Sequence, residues 1–309
     1  MNQINRNDWE ILVIDGMSDD KTRKIVGEFS RRYSFIQLLD NPDRIKPVAL
    51  NRGIGVARGE YIMRVDAHST YASGYVDDLL EVIRSSDAQN VGGVQVAVNE
   101  NKTAWGRAIA LAMSHPLAMG DALHRMGFLK EPREVETVYC GCYPRGVFRD
   151  IGLFNENLIR TQDREFNERL RKAGGKVLLV PSVRAFYKPR SEIKSHARWI
   201  FEGARWLFLA NRYTSVPMIK LRNWIPLGFV IYLVLALVAS VTAAIGDSWN
   251  ISLLAAPLLI YFAILTMAGG IAAIRERALP LVVTFPTVVF ATHLAYGVGS
   301  LVGLVQRYW

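Results

Sequence analysis

The chain has 309 residues, 50% of them hydrophobic, and a formal net charge of +9. This length allows one sizeable soluble core, and the basic residues gather beside long apolar stretches rather than in a stripe interleaved with aromatic residues. We therefore expect no nucleic-acid partner. Cys140 and Cys142 form a single C-x-C pair, which is too small for a zinc site or a disulfide framework and predicts buried thiols in a reducing compartment.

The N-terminal part of the chain alternates between short apolar runs and segments with helical spacing. Strands are predicted at Trp9–Ile14, Phe35–Leu39, Tyr61–Val65 and Val91–Val98, and helices at Thr22–Tyr33, Pro47–Arg58 and Tyr75–Ser85. This alternation predicts an α/β fold with a mostly parallel sheet that is covered on both faces. A nucleotide-binding sheet of this kind normally has one more strand before Trp9–Ile14, so we expect either that this first strand is missing or that a neighbouring segment fills its place.

Acidic residues stand at the carboxyl ends of two of these strands. Asp15 follows the first run and Asp66 follows Tyr61–Val65. Ligands bind at this edge of parallel sheets, so both carboxylates are expected to face one crevice. Asp66 and His68 are two positions apart, and extended backbone would turn both side chains to the same side, where they could hold one divalent cation against a diphosphate. A solvated turn is the alternative.

Three long stretches with almost no charge follow, at Trp224–Gly246, Ile251–Ile274 and Leu279–Val305. Each exceeds the roughly 20 residues that cross a bilayer as a helix. Buried core helices are the alternative, which three consecutive spans of this length disfavour. We therefore divide the chain into a catalytic domain at 1–192, an amphipathic juxtamembrane segment at 193–223 and a membrane domain at 224–309.

The charge of the connecting segments predicts an orientation. Gly246–Asn250 contains no Lys or Arg, whereas Arg275–Arg277 contains two. The positive-inside rule then places the N-terminal domain and the 275–277 turn in the cytoplasm, as a multi-pass protein of the inner membrane. Arg307, at the end expected outside, weakly opposes this arrangement. A basic domain also suits an anionic membrane face, so membrane lipids are expected partners.

Several segments together resemble the inverting family 2 glycosyltransferases of the GT-A fold, most closely the succinoglycan-biosynthesis ExoA-like group. They run in family order at Val13–Thr22, Pro47–Gly53, Arg64–His68, Val138–Tyr143, Thr161–Asp163, Arg169–Gly174 and Pro189–Ser191. The resemblance implies a UDP-sugar donor and a divalent cation, Mn²⁺ or Mg²⁺.

The resemblance also implies roles for individual residues in binding the donor. Asp15 would accept a hydrogen bond from the uracil ring, a charge-assisted contact, and Asp20 and Asn51 would contribute to the same nucleotide-sugar site. Helix capping is the alternative for Asp20. Asp66 would contact ribose or metal, and His68 stands where many members have a second aspartate. Neutral imidazole binds Mn²⁺, whereas Mg²⁺ prefers oxygen ligands.

The catalytic base implied by the resemblance is Asp163, in Thr-Gln-Asp where the family usually has Glu-Asp. Inversion by direct displacement needs one base to take the acceptor hydroxyl proton. An N-terminal helix cap is the alternative for Asp163, and Glu165 is its nearest rival as the base.

The segment Lys194–Trp206 stands in the place of the family's Gln-x-x-Arg-Trp element. Arg205 and Trp206 match its end and would contact a phosphate or the acceptor, while Trp199 stands where related chains have glutamine. An amphipathic helix on the membrane surface is the alternative. Loss of the glutamine favours addition of one sugar over polymer synthesis.

The resemblance therefore predicts a membrane-anchored enzyme of exopolysaccharide biosynthesis. It would transfer one sugar from a UDP-sugar to a lipid-linked saccharide carried on polyprenyl diphosphate, at the cytoplasmic face. Two alternatives stay open: a processive polysaccharide synthase, and a non-catalytic scaffold that binds nucleotide-sugar at the membrane.

Overall fold

A computed structural model of the chain describes residues 8–99, 103–125, 129–244 and 251–308, with the side chains of 244 and 251–254 left out. Two compact units emerge. The first, which we call the α/β unit, is drawn from Met1–Val96, Met126–Tyr187 and Tyr213–Met218. The second, the helical unit, is drawn from Ala97–Arg125, Lys188–Arg212 and Ile219–Trp309.

The elements of the described residues follow one another along the chain. The strands are β1 Ile11–Asp15, β2 Ile36–Asp40, β3 Tyr61–Met63, β4 Ser69–Tyr71, β5 Asn90–Ala97, β6 Arg133–Glu134, β7 Tyr139–Pro144 and β8 Val177–Tyr187. The helices are α1 Thr22–Arg32, α2 Lys46–Val56, α3 Tyr75–Ser85, α4 Ala104–Ala112, α5 Pro116–Met119, α6 Gly146–Asp150, α7 Gln162–Lys172, α8 Ile193–Ala210, α9 Ile225–Ala244, α10 Ile251–Arg275 and α11 Leu281–Tyr308.

The α/β fold class is confirmed, but the pairing of the strands differs from the expected mostly parallel sheet. Among the described strands, β1 and β2 form a parallel pair of their own, and the other strands form a second sheet in the order β3-β7-β5-β8-β4, with β6 also paired to β8. β7 is antiparallel to both β3 and β5. These two strands therefore run in the same direction without being neighbours.

This difference follows from the order of the strands along the chain. The strand that separates β3 from β5 is β7, which comes after the helices at 104–119. The sequence alternation up to residue 98 says nothing about a later strand that inserts between earlier ones. The expected missing strand concerns the start of the chain, where residues 1–7 lie outside the described part.

The core of the α/β unit lies between α3 and the larger sheet. Periodic apolar residues of α3, among them Tyr75, Leu79 and Ile83, are fully buried against Val91 of β5 and Cys142 of β7. The apolar face of α3 repeats at intervals of four, as an amphipathic helix on a sheet requires. This core holds β3 and β7 in place, and the candidate site lies next to them.

In the helical unit, three described helices are long and apolar enough to cross a membrane, over Leu221–Ala243, Ala255–Arg275 and Leu281–Tyr308. They match the predicted spans, although Gly246–Asn250, the joint without basic residues, lies outside the described part. The predicted juxtamembrane segment 193–223 contains α8, which buries His196, Ile200 and Ala204, whereas Tyr213–Met218 belongs to the α/β unit.

α11 is the common partner within the helical unit, because α4, α8, α9 and α10 all pack against it. Two small residues of α11 allow close approach to α8. A Cβ added at Gly299 or Gly303 would collide with the backbone of Phe201 or Arg205. Contact between backbones through a small-xxx-small pattern is typical of helices in membranes. The packing of α4 on α11 also explains why residues 97–125 lie in this unit, away from the 1–192 segment to which the sequence assigned them.

Candidate active site

Arg64 joins two of the predicted site carboxylates in the α/β unit. Its Nη2 lies 3.0 Å from Asp66 Oδ2 and its Nη1 lies 3.1 Å from Asp163 Oδ2. Asp66 follows β3 and Asp163 lies in the first turn of α7, 97 positions later in the chain. The fold thus brings the predicted base and the predicted metal ligand to one guanidinium group.

Two further side chains hold Asp66. Lys46, at the start of α2, places its Nζ 3.2 Å from Asp66 Oδ1. Tyr71 of β4 accepts a hydrogen bond from the Asp66 backbone N–H at 2.8 Å, and its Oη lies 3.4 Å from Sγ of Cys140. Asp66 is therefore held both through its carboxylate oxygens and through its backbone N–H.

The charges of this cluster keep both carboxylates ionised. Burial alone would raise the pKa of Asp66, but the charges of Arg64 and Lys46 outweigh it and hold the pKa well below its ordinary value. Burial opposes the same two cations at Asp163, whose pKa is also lowered. With two cations beside two carboxylates, the cluster is close to neutral before any ligand arrives.

Asp163 is set by an unusual backbone just before it. Thr161 has φ 64°, in the left-handed region that a β-branched residue rarely adopts. Asp163 Oδ1 accepts from the Arg164 N–H at 2.9 Å, but the N-cap residue of α7 is Thr161, so Asp163 lies inside the first turn and is not the helix cap. Its side chain is 34% exposed, which leaves the carboxylate accessible while it is paired with Arg64.

Glu165, the rival base, is engaged elsewhere. It is 1% exposed and binds Arg169 through both of its oxygens, at 2.8 and 3.0 Å. Oε1 also accepts from Thr214 Oγ1 at 2.9 Å. Because three hydrogen bonds saturate this buried carboxylate, it serves the packing of α7 and has no free access to an acceptor hydroxyl.

Asp15 ends β1 and is buried, as the sequence predicts. Its oxygens accept from the Ser18 hydroxyl at 2.6 Å and from Arg23 Nη1 at 2.7 Å. Burial would raise the pKa of Asp15, but these hydrogen bonds lower it. Asp20 is exposed and accepts from the Thr22 N–H at 2.8 Å, which is the helix-capping contact that was its alternative.

A hydrogen-bond path links the Asp15 loop to α2. The Asn41 N–H donates to the carbonyl of Asp15 at 2.8 Å, and the Asn41 side chain donates to the carbonyl of Ile45 at 3.1 Å. The next residue, Lys46, reaches Asp66. Asp15 is thus tied to the Arg64 cluster through α2 rather than by direct contact.

Asn51 lies on α2 with its amide fully used inside the protein. Its Nδ2 donates to the carbonyl of Phe154 and to Glu156 Oε1, both at 2.9 Å, and its Oδ1 accepts from the Phe154 N–H at 3.0 Å. These three bonds fix the 154–156 loop. The structure therefore shows a loop-holding contact where the resemblance implies a donor contact.

The backbone from Asp66 to His68 is not the extended strand that the sequence predicts, and the pairing of the two side chains on one cation stays a prediction. β3 ends at Met63, and residues 66–69 form a turn that the Ser69 N–H closes onto the Asp66 carbonyl at 3.1 Å. Alternation along a strand does not apply in a turn, and the exposed His68 ring packs edge-on against Tyr187 with centroids 5.3 Å apart. Arg64 and Asp66, two positions apart just after β3, form an ion pair.

Within the described residues, no group of three His, Cys, Asp or Glu side chains is placed to hold a metal ion. Asp66 is the carboxylate that the sequence assigns to a cation, and in this structure Lys46 and Arg64 bind its oxygens, so a cation would have to displace one of these contacts. A single carboxylate still fits a divalent cation that takes most of its ligands from substrate phosphates and water. The residues present are compatible with a cation held chiefly by a bound diphosphate.

Arg205 and Trp206 lie on α8 in the helical unit. Arg205 binds Gln306 of α11 at 2.7 Å and Glu202 at 3.2 Å. Trp199, in the place of the family glutamine, has the guanidinium carbons of Arg125 and Arg190 at 5.4 and 5.7 Å from its ring centroid. Arg205 thus takes part in joining α8 to α11, and the positive charge of this region gathers around Trp199.

Sequence reasoning missed three residues of the cluster, Arg64, Lys46 and Tyr71. Arg64 carried a usable signal, because it stands two positions before Asp66 at a strand end. Lys46 and Tyr71 carried none, because their contacts depend on where α2 and β4 fold back toward residue 66.

Residues 1–152 match the family model described as Glycosyl transferase family 2. The chain is 28% identical over 185 residues to the succinoglycan biosynthesis protein ExoA of Rhizobium meliloti (strain 1021), covering 59% of this chain and 55% of that protein. It therefore spans about half of the length of ExoA.

A second relative aligns along almost the whole chain. It is the dolichyl N-acetyl-alpha-D-glucosaminyl phosphate 3-beta-D-2,3-diacetamido-2,3-dideoxy-beta-D-glucuronosyltransferase of Methanococcus voltae, 25% identical over 313 residues that cover 97% of this chain and 89% of that one. Among solved structures, GalNAc-T7 with UDP, GalNAc and Mn²⁺ matches with a TM-score of 0.46 and 17% identity, over 68% of this chain and 46% of that one.

The sequence matches make this protein a glycosyltransferase. Residues 1–152 therefore form a glycosyltransferase family 2 domain, as the order of the motifs predicts.

Proposed function

We propose that this glycosyltransferase moves a single sugar from a UDP-sugar to a lipid-linked saccharide carried on polyprenyl diphosphate, as a step of exopolysaccharide biosynthesis. The observation that carries the proposal is the bridge from Arg64 to both Asp66 and Asp163. It puts a candidate base and a candidate donor-binding carboxylate within reach of one substrate.

In the proposed reaction Asp163 acts as the base. Its carboxylate takes the proton of an acceptor hydroxyl while that oxygen forms a bond to the anomeric carbon of the donor sugar. The bond from that carbon to the UDP oxygen breaks on the opposite side, its electron pair leaves with UDP, and the configuration inverts. The lowered pKa keeps Asp163 unprotonated at neutral pH.

Asp66 would hold a divalent cation together with the donor diphosphate. When bound, this cation offsets the charge that develops on the departing diphosphate. Lys46 and Arg64 lie around the same carboxylate and are placed to add positive charge for that leaving group. Asp15 and Asp20, at the end of β1, would contact the nucleotide. His68, as a second metal ligand, and Asn51, as a nucleotide-sugar contact, stay proposals that rest on the resemblance.

A lipid-linked acceptor is supported by the helical unit and by the relatives. Three of the described helices could cross a membrane, and an acceptor with a long apolar tail stays in the same bilayer as an enzyme anchored there. The name of the Methanococcus voltae relative describes a dolichyl-linked acceptor. We propose a multi-pass inner-membrane protein with its catalytic domain in the cytoplasm.

The test uses the full chain in membranes supplied with several UDP-sugars, Mn²⁺ and polyprenyl-diphosphate-linked saccharides, with products identified by mass spectrometry. We expect one added sugar per acceptor. Asp163→Asn should lower turnover by about 10²–10⁴-fold, as loss of a general base does, while UDP-sugar binding is kept.

Asp150→Asn is the matched control, because that exposed aspartate pairs only with its neighbour Arg149 among the contacts described. It should match the parent. Unchanged turnover in Asp163→Asn would remove the base from this site, long polymeric products would favour a processive synthase, and UDP binding without any transfer would favour a scaffold.

A further inference from the structure

A cavity of about 290 Å³ lies inside the helical unit, between the start of α4 and the turn that joins α10 to α11. Arg107 of α4 and Arg277 of the turn are among the residues that line it. The rest of its wall is apolar, made by Ala104 and the stretch 278–281. A small pocket lined by two arginines and otherwise by apolar residues suits an anionic group that is attached to an apolar one.

The backbone at Arg277 adds an independent observation. Arg277 has φ 51°, and it follows α10 where the Ala278 N–H closes the helix onto the Ala273 carbonyl at 2.9 Å. Glycine is the usual residue at this left-handed position because any Cβ is strained there. An arginine placed at such a cost points to a use for its side chain.

The surroundings of the cavity are positive. Arg275 lies in the last turn of α10, and α4 and α11 both begin at the cavity, at Ala104 and Leu281, with the positive ends of their dipoles. Glu276 is exposed in the same turn and does not line the cavity. Within the described residues, no acidic side chain contributes to its wall. Paired arginines in such a setting match phosphate oxygens.

The apolar surface beside the cavity distinguishes a lipid from free phosphate. Ile274 and Leu279, on either side of the turn, are each 81% exposed, and they belong to or adjoin helices long enough to cross a membrane. Acyl chains would cover these side chains while a phosphate sits between the arginines. Basic pockets between membrane helices are known to hold anionic head groups.

We propose that the cavity between Arg107 and Arg277 binds the phosphate group of an anionic membrane lipid. The site lies outside the Arg64 cluster, and it stands or falls independently of the proposed transferase reaction. Its role is to hold α4 and the α10–α11 turn against the membrane surface.

The experiment uses the full chain in detergent micelles and measures its thermal unfolding midpoint as phosphatidylglycerol is added, with phosphatidylcholine and inorganic phosphate as separate arms. Phosphatidylglycerol should raise the midpoint, and the other two should leave it unchanged. Arg107→Gln and Arg277→Gly should each need at least about tenfold more phosphatidylglycerol for the same rise, the loss expected for one charged contact to phosphate.

Arg277→Gly keeps the fold because glycine suits the left-handed backbone, so a lost response in that variant reports the side chain alone. Arg307→Gln is the matched control, because it removes the same charge from the opposite end of α11, and it should respond as the parent does. An unchanged response in both cavity variants, or an equal rise with inorganic phosphate, would overturn the proposal.

Discussion

Arg64 connects the predicted base to the predicted donor site through one planar side chain. It is mostly buried, with 10% of its side chain exposed, and a buried guanidinium needs carboxylate partners to offset its desolvation. Asp66 and Asp163 supply them. The same pairing sets the protonation of both carboxylates, so Arg64 is a positioning residue whose loss should change a pH profile.

We predict that Arg64→Gln raises the pKa of Asp163 toward its ordinary value, because burial then outweighs the remaining charge of Lys46. A base is active when unprotonated, so the acid side of the kcat/KM profile should move to higher pH. The measurement is that profile for the parent, for Arg64→Gln and for Arg149→Gln, an exposed arginine used as a control. An acid limb that stays in place in an active Arg64→Gln enzyme would contradict the assignment.

The lowered pKa of Asp163 in the parent chain also makes its stability depend on pH. The pKa of Asp163 is lower in the folded chain than in the unfolded chain, so its contacts stabilise the fold above the unfolded pKa. That stabilisation is lost as the pH falls through the folded pKa.

At the residue scale, the sequence could place carboxylates but not their partners. Asp15, Asp66 and Asp163 follow strands or open helices that periodicity and motifs reveal. Tyr71 and Lys46 reach Asp66 from a strand and a helix whose positions depend on long-range packing. The sequence does not predict the turn at 66–69. The apolar run predicts a strand up to Val65, whereas β3 ends at Met63.

Among the elements, α11 owes its close packing to residues without side chains. Gly299 and Gly303 are one turn apart and face the backbone of α8. Without a hydrophobic driving force in lipid, such close approach and the contacts that it allows supply the association energy. Polar links such as that from Thr292 Oγ1 to His196 Nε2, at 3.0 Å, lie along the same interface.

We predict that Gly303→Val separates α8 from α11, since its side chain would meet the Arg205 backbone. The expected loss is about 1–3 kcal/mol, the usual cost of overpacking, read as a lower unfolding midpoint in detergent. Gly270→Ala in α10 is the control, because nothing lies within 4 Å of a Cβ there. An unchanged midpoint in Gly303→Val would show that the two helices do not pack through this residue.

The sequence predicted helices more accurately than sheet order. α3 and the three apolar helices end within a few residues of their predicted bounds, because period and length mark them directly. Strand neighbours are set by contacts between distant segments. β7, which contains the C-x-C pair, lies between β3 and β5. No local pattern in Tyr139–Pro144 predicts this position in the sheet.

At the scale of the whole molecule, the two units are not consecutive stretches of chain. The chain leaves the α/β unit after Val96, returns at Met126, and leaves again after Tyr187. Composition marks only the apolar helices, so residues 97–125 looked like part of the soluble domain. The membrane orientation stays a prediction from the basic residues around the 275–277 turn.

We predict that Glu276→Cys reacts with a membrane-impermeant maleimide only after cells are opened, whereas Asp247→Cys reacts in intact cells. The reason is the positive-inside rule applied to Arg275 and Arg277. The native Cys140 and Cys142 are buried and serve as an internal background control. Labelling of Glu276→Cys in intact cells would reverse the orientation.

The position of α11 in the chain orders the events of biosynthesis. Translation proceeds from the N-terminus, so α4, α8, α9 and α10 leave the ribosome before the helix that they share as a partner is made. Every segment of the α/β unit, which ends with Tyr213–Met218, has been synthesised by then. The α/β unit can therefore fold before α11 is available to the helical unit. Until α11 inserts, the face of α8 that packs against it has no partner from α11.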